Sequence, residues 1–280
     1  MTPPPNLKAD SPSLAKQVKL FFKILFVERR LPGRFYLIYY NFLHAIGIEV
    51  TTIRVARGVR LRGFTNSLSM AHETWSKRVY DHPGFALRPN MHVIDIGANQ
   101  GFYSTYAASF GANVYAFEPC LETFELLQHN IKVNHFQSLI KAQRAAVSGQ
   151  HGTVELFVGI DSKGGILSGS ASIMNPNRGG IGLKSESVVA MTLGEIFAES
   201  QIPQCDFLKI DCEGAEYEIL ANLSPELSKR IMRVSIETHS GRGQEAVDRL
   251  KSLGFAIIEF EDGVAGFIKA HRNDTLVPPA

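Results

Sequence analysis

The sequence predicts an α/β protein built on a mainly parallel sheet with helices on both faces. Three observations carry that expectation. The stretch from Val93 to Gly101 (VIDIGANQG) is an apolar run that breaks into Gly97, Asn99 and Gly101, and FYSTYAASFG after it reads as a short helix closing at Gly111. Apolar runs and amphipathic stretches then alternate along the chain, the pattern of strands joined by crossover helices. Finally, FAIIEF and VAGFIKA read as an antiparallel pair near the end.

A buried strand entering a glycine turn and a helix is how α/β proteins hold a nucleotide-like cofactor, because backbone without a Cβ can come close to the ligand. The spacing here is G-x-N-x-G, short of the full three-glycine dinucleotide fingerprint. The next apolar run, NVYAFEP, ends on Glu118, which lies 23 residues after Asp95. A carboxylate at that strand tip is placed to accept both protons of a ribose diol.

Composition narrows the class. With 280 residues and 45% apolar content the chain can bury one sizeable core. Net charge is +2, yet residues 1–62 hold 11 Lys and Arg against 3 Asp and Glu, so the other 218 residues sum to −6. Cys120, Cys205 and Cys212 have neither C-x-x-C spacing nor a disulfide framework, as expected of reduced thiols in a soluble, cytoplasmic protein. The start, MTPPPNLKADSP, has no charged-then-apolar leader pattern, and no run approaches 18 apolar residues.

In order, residues 1–13 are proline-rich and read as a disordered lead-in. From Leu14 to Leu43, Lys16, Lys19, Lys23 and Arg30 recur opposite Leu20, Phe21, Ile24 and Leu25, which predicts an amphipathic helix, a break at Pro32-Gly33 and a second helix. Such a pair caps the main domain or a partner subunit, in keeping with a homo-oligomer, or lies on a membrane surface. Residues 50–65 alternate apolar and basic positions as a hairpin would, and ETWSKRVYDH reads as a helix with Trp75 as a packing anchor. The expected domain boundaries are 1–87 for this extension, 88–272 for the main domain and 273–280 for a tail.

Within the main domain, LETFELLQHNIKVNH predicts a helix with Leu121, Phe124, Leu127 and Ile131 on its apolar face. SLIKAQRAAVSG reads as a third strand ending near Ala145 to Val147. TVELFV and SVVAMTL look like paired strands enclosing residues 159–187, a glycine- and serine-rich stretch that is a candidate substrate lid. A helix near Leu193 to Ser200, the strand DFLKID, a helix beginning around Gly214, the strand MRVSIETH and the helix GQEAVDRLKSLG follow.

Two of these strand ends are rich in ionisable groups. KIDCEGAE gathers Lys209, Asp211, Glu213 and Glu216, and SIETHS brings Glu237 and His239. Period-two alternation puts Lys209 with Asp211, and Glu237 with His239, on one side of their strands. Asp211 needs a partner at the end of an apolar strand. Lys209 is expected to pair with a carboxylate or to serve the site, and Glu216 suits a helix macrodipole. Cys212 reads as a small filler and not a nucleophile, since no base is placed to activate it.

VIDIGANQG, VYAFEP with LLQHN, AAVS, TVELFV, MTL, KIDCEGAE and SIETH resemble, in order, the motifs of the FkbM family of S-adenosylmethionine-dependent methyltransferases. The resemblance covers about residues 88–270. It implies the seven-stranded, Rossmann-like class I methyltransferase fold and methylation of a hydroxyl on a sugar, glycoside or polyketide-type natural product. It also implies cofactor contacts from Asp95, Gly97, Ala98, Asn99, Gly101, Glu118 and Ala146. Because an alcohol is a poor nucleophile until its proton leaves, a base or a metal is required. His239, with an ordinary pKa of ~6.5, is the first choice of base. Asp211 and Glu237 would orient it or hold a divalent cation, with Glu213 and Lys209 in the same cluster. A nicotinamide-dependent oxidoreductase and a non-catalytic binding protein are the alternative readings. Nucleic acid is not an expected partner: the asparagine-proline-proline-aromatic motif of amino-group methylation is absent.

Overall fold

The structure is a computed structural model that describes residues 52–64, 68–160, 171–173, 182–239 and 241–272. The predicted helices within 14–43, the tail 273–280 and most of the candidate lid lie outside the described residues. The extension is therefore seen only from the hairpin onward. It comprises β1 (Thr52–Arg54) and β2 (Arg60–Arg62), then α1 (Leu68–Ala71), which widens into a π-helical turn over His72–Lys77. The helix predicted over ETWSKRVYDH stops early. Arg78 turns left-handed (φ 56°), which releases Val79 and Tyr80 from the helix.

The main domain runs β3 (His92–Ile96), α2 (Phe102–Ala108), β4 (Asn113–Phe117), α3 (Leu121–Val133), β5 (Ile140–Gln143), β6 (Ala146–Val147), β7 (Gly152–Ile160) and β8 (Gly182–Met191). It continues with α4 (Leu193–Ser200), β9 (Phe207–Ile210), α5 (Glu216–Ala221), α6 (Pro225–Ser228), β10 (Arg233–His239), α7 (Gly243–Ser252), β11 (Phe255–Glu261) and β12 (Ala265–Arg272). Seven strands form one sheet in the order β11-β12-β10-β9-β3-β4-β5. The five from β10 to β5 are parallel, and β12 joins β10 and β11 antiparallel. Strand order reverses between β3 and β9, the crevice where open α/β sheets bind ligands.

The apolar runs read as strands because they are buried on both faces. Val93, Ile94, Ile96, Val114, Leu208 and Ile210 are at most 1% exposed. One layer of the core holds Ile94, Ile96, Leu208, Ile210 and Ile236 against Ile196, Ile219 and Leu250. The opposite layer packs Val93, Val114 and Phe207 on Phe102, Tyr103, Tyr106 and Leu127. Each such side chain contributes roughly 1.5–3 kcal/mol on leaving water. Phe124, Leu127 and Ile131 point inward from α3 as expected, whereas Leu121, in the first turn, is 38% exposed. Thr192 caps α4 by accepting from Glu195 N while the Glu195 carboxylate accepts from Thr192 N, which gives the MTL stretch a structural reason.

The third strand differs from its expected end. β5 stops at Gln143, and Ala145 N bonds back to Gln143 O at 3.1 Å. That turn sends Ala146 and Val147 out of the large sheet to pair with Ala190 and Met191 of β8. β7 and β8 pair from Gly152–Ala190 to Ile160–Gly182, so a three-stranded sheet β6-β8-β7 stands beside the large one.

Asn130 of α3 holds the β1–β2 hairpin to the domain. Its amide accepts from Arg62 N (2.7 Å) and donates to Arg62 O (2.8 Å) and Gln100 O (2.8 Å). Asn134 repeats the clamp one turn later on Arg60 N (2.8 Å) and O (2.6 Å). Two side-chain amides thus stand where a further strand would pair with β2. Asn130→Ala is expected to cost about 3 kcal/mol, roughly one for each bond lost. Hydrogen exchange at Arg62 should speed up before that of the main sheet, and unchanged protection there would contradict the clamp.

Candidate active site

The glycine turn carries two different constraints. Gly97 has φ +71°, and a Cβ there would stand 1.7 Å from the Asp211 carbonyl oxygen, so only glycine lets the tips of β3 and β9 touch. Gly101 also has positive φ, and its missing Cβ faces Leu127 of α3 at 2.4 Å. It does not line the cleft. Its missing Cβ lets α3 pack closely against the turn.

Between these tips opens a cleft of about 230 Å³, with Gly97, Ala98 and Asn99 on one wall and Glu118 at the end of β4. Ala146, Leu156 and Ile173 form an apolar side, and Tyr80, Asp211, Glu213 and Glu237 close the far end. Glu118 is 5% exposed, and burial pushes its pKa up. Thr123 Oγ1 (2.8 Å), Cys120 N (3.0 Å) and Asn99 N (2.7 Å) donate to its carboxylate and work against that shift. Asn99 itself is left-handed at φ 50°, and its buried side-chain oxygen has no hydrogen-bond partner among the described residues. An orphaned acceptor beside a fixed carboxylate and an apolar wall suits a polar, ring-bearing cofactor.

Asp95 is placed otherwise than a ligand contact would be. It is fully buried, accepts a 2.6 Å bond from Ser104 Oγ, and lies 3.2 Å from Lys209 Nζ. Lys209 Nζ also donates to Gly97 O (2.8 Å) and stands 3.5 Å from Asp211. Burial works to discharge this ammonium, but Asp95 and Asp211 outweigh it and raise its pKa. Both residues therefore hold the glycine turn and strand tips in register, which the sequence shows only as an acid and a lysine on neighbouring strands.

The far end gathers the ionisable side chains. Tyr80, 9% exposed, places its hydroxyl 2.9 Å from Asp211 Oδ2 and 3.3 Å from Glu237 Oε2. Its ring packs on Tyr103 and Phe267 beneath Lys209 Nζ. Nothing in the sequence marked Tyr80, because it lies ahead of the first core strand and meets Asp211 across 131 residues. Glu216, expected to serve the helix macrodipole, does stand in the first turn of α5. It is also fully buried and bonded at 2.8 Å to His239 Nδ1, so it orients that ring. His239 Nε2 then faces Glu213 (3.7 Å) and Glu237 (3.9 Å).

Electrostatics separates the two candidate bases. Burial pushes Glu237 up to about 7, with Asp211 adding to the rise and His239 and Lys209 opposing it. Burial also works against a charged His239, but the Glu216 bond and the charges of Glu216, Glu213 and Asp211 prevail and carry it to about 9. At neutral pH the histidine keeps its proton and the glutamate is near its own midpoint. The Cys212 thiol is pushed well up by burial first and then by Glu216 and Asp211, which agrees with its reading as a filler. Asp211, Glu237 and His239 each offer a ligand atom, all within 4.8 Å of one another, so the donor set suits a divalent cation as well.

Of the candidate lid, Ala171 and Ile173 reach the cleft, and Ser172 Oγ donates to Glu213 O at 2.6 Å. Among the described residues no helix is long and apolar enough to cross a membrane.

Comparison with known proteins places the chain in a family. The family model described as the methyltransferase FkbM domain matches residues 95–260. The 31-O-demethyl-FK506 methyltransferase FkbM of Streptomyces tacrolimicus is 26% identical over 251 residues, covering 80% of this chain and 95% of its own. The hexuronic acid methyltransferase AglP of Haloferax volcanii is 29% identical over 161 residues, covering 56% of this chain and 60% of its own. The crystal structure of methyltransferase FkbM from Methylobacillus flagellatus superposes with a TM-score of 0.46 at 13% identity, covering 92% of this chain and 60% of that one. With its family-model match spanning the core strands from Asp95 and both loaded strand tips, this chain belongs to the FkbM family of methyltransferases.

Proposed function

We propose that this protein transfers a methyl group from S-adenosylmethionine to a hydroxyl of a sugar, glycoside or polyketide-type natural product. The observation that carries the reading is the meeting of two half-sites in one cleft: the glycine turn with Glu118, and the Tyr80–Asp211–Glu237 cluster opposite. The names of two relatives support the acceptor class, one referring to a 31-O-demethyl compound and the other to a hexuronic acid.

When bound, the cofactor supplies the reactive methyl group. Gly97, Ala98 and Asn99 would border it, Glu118 would accept from its ribose hydroxyls, and Ala146 with Leu156 would flank its base. At the far end Glu237 takes the acceptor proton, since its pKa near 7 suits a base working at neutral pH. His239 stays charged beside it and stabilises the carboxylate form. That order reverses the expectation from residue type alone, which put the histidine first. The Tyr80 hydroxyl stands within hydrogen-bond reach of both Asp211 and Glu237, keeping the two carboxylates aimed into the cleft. A divalent cation on Asp211, Glu237 and His239 Nε2 is the second arrangement, favoured by the Glu216 bond that turns Nε2 toward the carboxylates. Dialysis against a chelator separates the two: unchanged turnover fits Glu237 as base, and loss restored by magnesium or manganese fits the cation.

Calorimetric titration with S-adenosylhomocysteine should give binding that Glu118→Ala weakens about ten- to hundredfold, the worth of hydrogen bonds to a charged group. No binding to the folded protein would end the methyltransferase assignment of this cleft. The pH profile of kcat/KM should climb near 7 as Glu237 ionises and fall near 9 as His239 loses its proton. Glu237→Gln should remove the climbing limb and cut turnover by about 10²–10⁴. Tyr80→Phe should move that limb to higher pH, because a donor that favours the charged carboxylate is gone. A profile indifferent to Tyr80 would refute its positioning role.

A further inference from the structure

The β1–β2 hairpin presents a face that the methyl-transfer chemistry does not use. Ile53, Val55, Val59 and Leu61 point inward and are at most 5% exposed, which leaves Arg54, Arg60 and Arg62 on the outer face, all exposed. Arg54 lies directly opposite Arg60 in the ladder. Val55 N bonds Val59 O, and the Arg60 and Arg62 backbone groups turn outward to the asparagine clamps, so Arg54 and Arg60 form the non-hydrogen-bonded, closer kind of cross-strand pair. Like charges so placed destabilise a hairpin that is already marginal at this length. Arg57, by contrast, is used internally: its Nε donates to Ser109 O and its guanidinium covers the Phe110 ring. Among the described residues, the Arg54, Arg60 and Arg62 guanidinium groups have no hydrogen-bond or ion-pair partner.

A face with three unneutralised guanidinium groups calls for an anionic surface. We propose that this face docks on an anionic lipid bilayer. Charge complementarity requires anions, and a stretch far upstream in the sequence says which kind. There Lys16, Lys19 and Lys23 interleave with Leu20, Phe21, Ile24 and Leu25, residues that lipid hydrocarbon takes up and a polynucleotide does not. The same hairpin leads through residues 68–80 into the cleft wall formed by Met70, Thr74 and Tyr80. Docking there would hold the cleft close to acceptors carried by lipid. The inference is independent of which hydroxyl is methylated.

Full-length protein is to be co-sedimented with vesicles of phosphatidylcholine alone and of phosphatidylcholine with phosphatidylglycerol. Binding should require phosphatidylglycerol and weaken with salt. The triple variant R54Q/R60Q/R62Q should partition about a hundredfold less, near fivefold for each arginine. It should bind S-adenosylhomocysteine as the parent does, with no lower Tm, because the Arg54–Arg60 repulsion is relieved. Should the triple variant fail to fold, Arg54→Gln alone should lose about fivefold. Equal binding to phosphatidylcholine alone, partitioning untouched by the substitutions, or tighter binding to a single-stranded RNA oligonucleotide at matched salt would each overturn the proposal.

Discussion

Everything at this site hangs on one buried ammonium. Lys209 Nζ stands among Asp95, Asp211 and the Gly97 carbonyl, at the place where the strand order reverses. A buried charge persists only if its partners are close and numerous, and removing one partner typically costs 3–5 kcal/mol. Here the partners are the two strand tips themselves. Ser104 accounts for the second Asp95 oxygen and ties in α2. The contact between Gly97 and the Asp211 carbonyl leaves no space for a shift. The cleft is therefore positioned by electrostatics and by the missing Cβ at the same point.

From that anchor the site divides into two halves with different physics. Toward β4 the wall is backbone, one fixed carboxylate and apolar side chains, which serves recognition of a ligand that brings its own reactivity. Toward β10 the wall is a crowd of acids whose burial, and then mutual repulsion, raise Glu237 into the neutral range. His239 answers by staying charged, held by Glu216 from behind. Their surroundings set the two groups apart, with Glu237 near 7 and His239 near 9. Two groups whose surroundings push them apart in this way are the usual mark of assigned acid and base roles.

The region ahead of β3 is more than an appendage. Trp75 donates to Phe102 O at 3.2 Å and packs edge-on against Tyr106, fixing the π-helical turn to α2. That anchoring sets Tyr80 over the carboxylates, so an extension outside the family match from residue 95 supplies one wall of the cleft. Part of the cleft wall comes from residues 68–80 and from the part of the β7–β8 connection that carries Ala171 and Ile173.

The sequence by itself determined the strands, their alternation with helices, the glycine turn and the acids at strand ends. These are local matters: apolar periodicity, a residue type that tolerates positive φ, and carboxylates that interrupt buried runs. It also determined the family, since the motifs follow one another in order. Tertiary structure alone decided what each polar group does. Asp95 and Gly101 looked like ligand contacts and are instead committed to Lys209, Ser104 and Leu127. Ala146 left the main sheet through a turn that no periodicity marks, yet it still lines the cleft. Tyr80 met Asp211 across 131 residues, and the order of the Glu237 and His239 pKa values was set by burial and neighbouring charge. Both depend on which groups the fold brings within a few ångströms, and a pKa follows from that environment, not from residue type.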